Sequence, residues 1–159
     1  MNRTALLVSL MMCVVGAAAC ETDLIDDPGF QLWCGEELCA WELEEGEIRK
    51  VPTWHTYDYG VDLVGAPVLL SQGARSSASC VRIEVTSRVE EDAMVTVEVD
   101  ADGDGDVDRT VPVGSSERFV SRVHDVELDV SIDGVFYLRK SAQGEAVVAR
   151  LRVSEECGW

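Results

Sequence analysis

Positive charge and histidine are scarce in this chain. Its 159 residues hold 13 lysines and arginines against 30 aspartates and glutamates, a formal net charge of −17, with only His55 and His124 as histidines. A field of that sign repels nucleic acid phosphates and anionic lipid and favours cations or basic partners, so no nucleic acid partner is expected. Obvious nucleophile and phosphate motifs are missing: there is no G-x-S-x-G, no P-loop and no H-E-x-x-H. His55 stands near Asp58 in "TWHTYDY", but a histidine among aromatics reads first as packing or surface. The expectation is a protein that is not an enzyme. The paired C-x₂-C spacing of zinc sites is also absent. After the opening segment the sequence shows no second long apolar run, no convincing helical period and no internal repeat, so the mature chain is not expected to cross a membrane.

What is present begins with "MNRTALLVSLMMCVVGAAAC". Arg3 supplies a positive start, residues 5–15 form an apolar run too short for a comfortable span, and Gly16 to Ala19 are small. This is the form of an export signal over residues 1–19. "AAA" before Cys20 fits an ordinary A-x-A cleavage site. "AAAC" also resembles the bacterial lipobox, L-[AS]-[GA]-C, with Ala17 standing where Leu is usual. Cysteine number favours the second reading: once Cys13 leaves with the signal, five cysteines remain, and lipidation of Cys20 leaves four that can pair. The resemblance implies a lipoprotein with acyl chains on Cys20, residues 20–27 as a short polar tether, and residues 28–159 as one domain. Its contact with the membrane is then through the N-terminal lipid only, and Glu21 after the cysteine points to the outer membrane of the bacterial envelope.

Export places Cys34, Cys39, Cys80 and Cys157 in an oxidising compartment, where three pairings are open. A turn in "GEEL" would bring Cys34 to Cys39 and leave Cys80 for Cys157. Cys80 shares parity with polar Arg82 and Glu84, whereas Cys157 shares parity with apolar Val153, so a bulge near Ser79 or after Ser154 would be needed.

Alternation of apolar and polar residues dominates the rest. "CVRIEVTS" (80–87), "AMVTVEVD" (93–100), "DVELDVSI" (125–132) and "AVVARLRV" (146–153) each read as a half-buried strand, with "DG" (133–134) and "QG" (143–144) as turns. Short strands with one solvated face predict an all-β, antiparallel β-sandwich. The less regular first half carries Gly29-Phe30, Trp41 and Gly46, then Gly60, Leu63, Gly65, Ser71 and Gln72. In that order they resemble the opening of galactose-binding-like jelly rolls, the fold of many bacterial carbohydrate-binding modules. The resemblance covers about residues 28–153 and implies a jelly-roll sandwich. The C-x₄-C insertion at 34–39 departs from it.

Two stretches hold candidate sites. "DADGDGDVD" resembles D-x-D-x-D-G calcium loops, with Asp100, Asp102 and Asp104 at the first, third and fifth positions. Asp106 would offer a backbone carbonyl, and Asp108 stands in for the usual twelfth-position Glu, where this chain has Val111. Ca²⁺ takes six to eight oxygen ligands, and alternate residues of a tight loop aim their side chains inward. The competing reading is a solvated Asp-Gly hairpin turn. The second stretch is the aromatic set Trp54, Tyr57 and Tyr59, which reads either as a stacking platform for sugar rings or as buried packing. Trp33 and Trp41, flanking the short disulfide, read as core. The function expected is a non-catalytic envelope lipoprotein whose sandwich binds carbohydrate or an envelope protein. A calcium-stabilised structural or adhesion module is the alternative. A hydrolase would need a deep pocket with converging carboxylates.

Overall fold

The computed structural model describes residues 23–54, 58–155 and 157. The export signal, Cys20, His55 and Tyr57 lie outside them. Among the described residues the chain forms ten strands: β1 (Trp33–Cys34), β2 (Glu37–Leu38), β3 (Glu42–Pro52), β4 (Tyr59–Ser76), β5 (Cys80–Val89), β6 (Val95–Asp100), β7 (Arg109–Pro112), β8 (Ser116–Glu127), β9 (Ile132–Lys140) and β10 (Ala146–Ser154). Every pairing is antiparallel. The all-β sandwich read from the alternation is the fold observed.

The layers are joined by one long strand. The start of β4 pairs with β10 at Val61 and Asp62, and its later part pairs with β9 from Val68 to Ser76. The strand β3 follows β4 along both parts. One layer is therefore β7-β6-β9-β4-β3, and the other is β8-β5-β10-β4-β3. The corner lies between Leu63 and Val68, where Gly65 takes φ +68°. Across from it Gly46 takes φ +89°, and a Cβ there would run into the Pro67 carbonyl and meet Val68 Cγ2 at 2.9 Å. Only glycine fits both the backbone conformation and that approach.

The inward-facing residues give a single apolar core, with Phe136, Leu63, Leu70, Ile83, Leu138 and Leu151 fully buried. Lys140 shares parity with Phe136 and Leu138 and is 1% exposed; its ammonium donates to the Leu63 carbonyl at 2.8 Å, beside the corner. Burial lowers its pKa from 10.5, with Asp62 the largest opposing influence.

Where β4 leaves β10, the N-terminal segment takes its place. Asp23 bridges Ser154, the Leu24 amide donates to Val153 O at 2.7 Å, and the Leu151 amide donates to Pro28 O at 2.8 Å. Ile25 and Phe30 enter the core, and the Phe30 ring lies 5.5 Å from that of buried Trp41. Gln72 fixes this segment: its Oε1 accepts from the Asp26 amide at 2.7 Å, and its Nε2 donates to Asp26 O and Ala40 O. Residues 23–27, read from the sequence as tether, are thus packed on the sandwich.

The strand expected over 125–132 is interrupted. β8 ends at Glu127, which pairs with Cys80, the first residue of β5. No β5 backbone remains beyond it to extend the ladder. Leu128 instead donates its amide to Ser79 O, and β9 starts at Ile132 in the opposite layer. Both disulfides are present, Cys34–Cys39 with Cα atoms 5.3 Å apart and Cys80–Cys157 with 6.1 Å. Cys157 lies three residues beyond β10, so strand parity does not constrain it and no bulge is required there.

Candidate functional site

Outward residues of the second layer form a polar face. Along the β5–β8 ladder, Arg82 pairs with Asp125 at 2.9 Å, Glu84 lies opposite Val123, and Thr86 Oγ1 and Ser121 Oγ are 2.6 Å apart. Arg150 of β10 lies opposite Thr86. The register of β10 slips between Val148 and Arg150, which leaves Ala149 as a bulge. Gly60 lets β4 approach that bulge: a Cβ there would come within 2.8 Å of Val148 O and 3.2 Å of Ala149 Cα.

A cleft of about 300 Å³ opens on this face, lined by Gln31, Trp54, Asp58, Glu84, Thr86, Ser121 and Arg150, with Ala149 among its walls. The β3–β4 loop brings Trp54 to its rim, 53% exposed, with its ring 4.7 Å from that of Phe119 on β8. The Arg88 guanidinium stands 5.7 Å from the Phe119 ring and pairs with Glu145. The cleft therefore combines an aromatic wall with hydroxyl, amide, carboxylate and guanidinium groups. That set can stack on a sugar ring while exchanging hydrogen bonds with its hydroxyls. Burial raises the pKa of Asp62, another residue of β4, with the Arg49 cation opposing that rise.

Tyr59 lies elsewhere. It is 40% exposed at the start of β4, its ring is covered by the Lys50 ammonium at 4.0 Å, and its backbone is held by the Gln31 side chain through bonds of 2.7 and 3.1 Å. Gln31 thus links the cleft to the strand edge. Phe119, Ser121, Arg150 and Gln31 were not foreseen as site residues. Their signal is distributed, since each is an outward or loop position that joins Trp54 only through long-range pairing.

The aspartate loop joins β6 to β7 at the opposite end. Ligand oxygens of Asp100, Asp102 and Asp108 all lie within 4.8 Å of one another; Asp104 and Asp106 fall outside that group. Asp100 is 1% exposed, and its two oxygens accept the amides of Gly103 and Gly105 at 2.7 and 3.0 Å. Asp108 accepts the Ala101 amide at 2.7 Å. Asp102 and Asp104 accept the amides of Asp104 and Asp106, each two residues on. Gly103 and Gly105 take φ +73° and +95°, the left-handed turns that close the loop. Carboxylates and backbone amides thus organise this loop together. A further hollow of about 630 Å³ lies between the edge strands β7 and β8, beside Cys80–Cys157.

No protein-family model matches the sequence, and no curated protein matches it. Solved structures do resemble the fold. The carbohydrate-binding module TmCBM61, in complex with β-1,4-galactotriose, superposes with a TM-score of 0.60 at 16% identity, covering 85% of this chain and 99% of that one. A carbohydrate-binding module of the lichenase 5A from Cellvibrio mixtus, in complex with cellotriose, gives 0.54 at 17% identity over 73% of this chain and 91% of that one. The enzymatically active domain of tailspike protein 4 from bacteriophage CBA120 gives 0.61 at 11% identity, covering 83% of this chain but 21% of that one. At these identities the likeness establishes the jelly-roll sandwich.

Proposed function

We propose that this protein is a non-catalytic carbohydrate-binding module of the bacterial envelope, held to the membrane by lipid on Cys20. The observation that carries the binding reading is the exposed Trp54 ring on the rim of a cleft lined by Gln31, Glu84, Thr86, Ser121 and Arg150. An aromatic face with convergent hydroxyl and amide groups suits a neutral oligosaccharide, and two of the solved modules of this fold hold neutral trisaccharides. Titration with β-1,4-linked galactotriose and cellotriose, followed by Trp fluorescence and calorimetry, tests this reading. Trp54→Ala should weaken binding at least tenfold, well beyond the loss of about 1 kcal/mol in stability expected from its contact with Phe119. Binding that is unaffected by Trp54→Ala would move the site elsewhere. Mass spectrometry of the exported protein tests the anchor: a diacylglyceryl adduct on Cys20 is expected, and an unmodified thiol contradicts it.

A second reading concerns the aspartate loop. The close approach of Asp100, Asp102 and Asp108 suits a hard cation, and we propose that the loop holds Ca²⁺ as a structural ion. The loop already has amide partners for these carboxylates, so affinity in the range of extracellular modules, about 10⁻⁴–10⁻³ M, is expected. At 10 mM calcium, ten to a hundred times that dissociation constant, stabilisation would be about 1.4–2.7 kcal/mol. A melting temperature identical in calcium and in chelator would remove the ion from this account.

A further inference from the structure

We infer that the protein lies on the bilayer in a fixed sense, with the end bearing the aspartate loop toward the lipid and the Trp54–Phe119 rim farther from it. This rests on the lipid-anchor reading of Cys20 and adds the geometry that the packed N-terminus imposes. From Cys20 to Asp23 there are three residue steps, which span at most about 11 Å even when fully extended. From Asp23 onward the chain is fixed. Asp23 bridges Ser154 and pairs with Arg152 at 3.2 Å, Ile25 is 3% exposed, and Gln72 holds Asp26 on both its amide and its carbonyl. Peeling this segment away to lengthen the tether would expose Ile25 and unpair those backbone groups.

The end so tied down is well defined. Ser154 lies opposite Arg82 near the start of β5, and Cys157 is bonded to Cys80, that strand's first residue. Ser76 donates to Glu155 at 2.6 Å and pairs with Ile132. The neighbouring Asp133 donates its amide to Ala101 O at the aspartate loop. Arg88 and Phe119 mark the other end of the same ladder, since Ser87 pairs with Val120. Six residues of β5 separate Arg82 from Arg88, a rise of about 20 Å. A tether shorter than that rise cannot let the domain roll over. The acidic end disfavours close approach to anionic lipid, so the surface that fits it is a zwitterionic headgroup layer.

The test uses the exported, lipidated chain in phosphatidylcholine vesicles that carry a nickel-chelating lipid. Nitroxides are attached through a non-natural ketone side chain, which leaves the disulfides untouched, at exposed Ser77 or at exposed Glu117. Both labelled proteins should melt as the unlabelled one does. Paramagnetic relaxation at position 77 should exceed that at position 117 several-fold, and a Gly/Ser insertion of about twelve residues between Thr22 and Asp23 should abolish the difference. Equal relaxation at the two positions of vesicle-bound protein, or the reverse order, overturns the orientation while leaving the anchor standing. Failure to partition into vesicles at all overturns the anchor and the orientation with it.

Discussion

At the residue scale, two polar side chains separate stability from binding. Gln72 is 8% exposed and satisfies three backbone groups that its loss would strand. Gln72→Ala should cost about 2–4 kcal/mol in chemical denaturation, because buried amides and carbonyls without partners carry a desolvation penalty. Arg150→Ala lies on the exposed face and should leave stability within about 0.5 kcal/mol of the parent while weakening oligosaccharide binding. The aromatic set around Trp54 stands out in the sequence, which leaves open whether it stacks on a ligand or is buried; the 53% exposure of Trp54 rules out burial. Its neighbours Phe119, Ser121 and Arg150 were not legible, because they reach it from strands set by register, and no local pattern encodes register. The same limit applies to Tyr59, which is near Trp54 in sequence and 40% exposed but packs its ring under Lys50 and does not line the cleft.

At the element scale, the corner of β4 and the disulfides give contrasting tests. Gly46→Ala forces a side chain into φ +89° against Pro67 and Val68 and should destabilise by more than about 2 kcal/mol, whereas Gly105→Ala, at φ +95° but in open space, should cost closer to 1. In the chain-entropy account, Cys80–Cys157 spans 77 residues and should contribute about 4–5 kcal/mol, against about 2 for the 5-residue span of Cys34–Cys39. Selective Cys→Ala pairs followed by denaturation would rank them. The strands β5 and β6 were legible because they have one buried face and alternate; β10 was legible as a strand, although Ala146, Val147, Val148 and Ala149 are all buried and the bulge at Ala149 interrupts its alternation. By contrast β3 and β4 were not: β4 serves two layers and turns between them, so its alternation breaks at the corner. The run at 125–132 kept its alternation through a turn, and only the end of its neighbour β5 shows why the strand stops.

At the scale of the whole molecule, charge sets the response to pH. Burial raises the pKa of Asp23 and of Asp62 above 3.8. Between 3.8 and the raised values the folded chain holds protons that the unfolded chain has released, so these groups add stability as pH falls through that window. Lys140 acts at the other extreme: with its pKa lowered below 10.5, the unfolded chain holds the extra proton there, and stability rises with pH through that window. Acidification from pH 8 toward 5 also moves toward discharge of the −17 net charge. The melting temperature should therefore be higher near pH 5 than at pH 8, and added salt at pH 8 should recover part of the difference. A flat profile in low salt would show that self-repulsion is minor.

The account turns on the outward face of the β8-β5-β10 layer as a sugar-binding surface. The most direct measurement is a backbone-amide NMR titration of the folded domain with neutral β-linked oligosaccharides. Shifts concentrated at Trp54, Thr86, Ser121 and Arg150 are predicted. Shifts confined to the aspartate loop or to the hollow between β7 and β8, or no shifts at millimolar sugar, would contradict it.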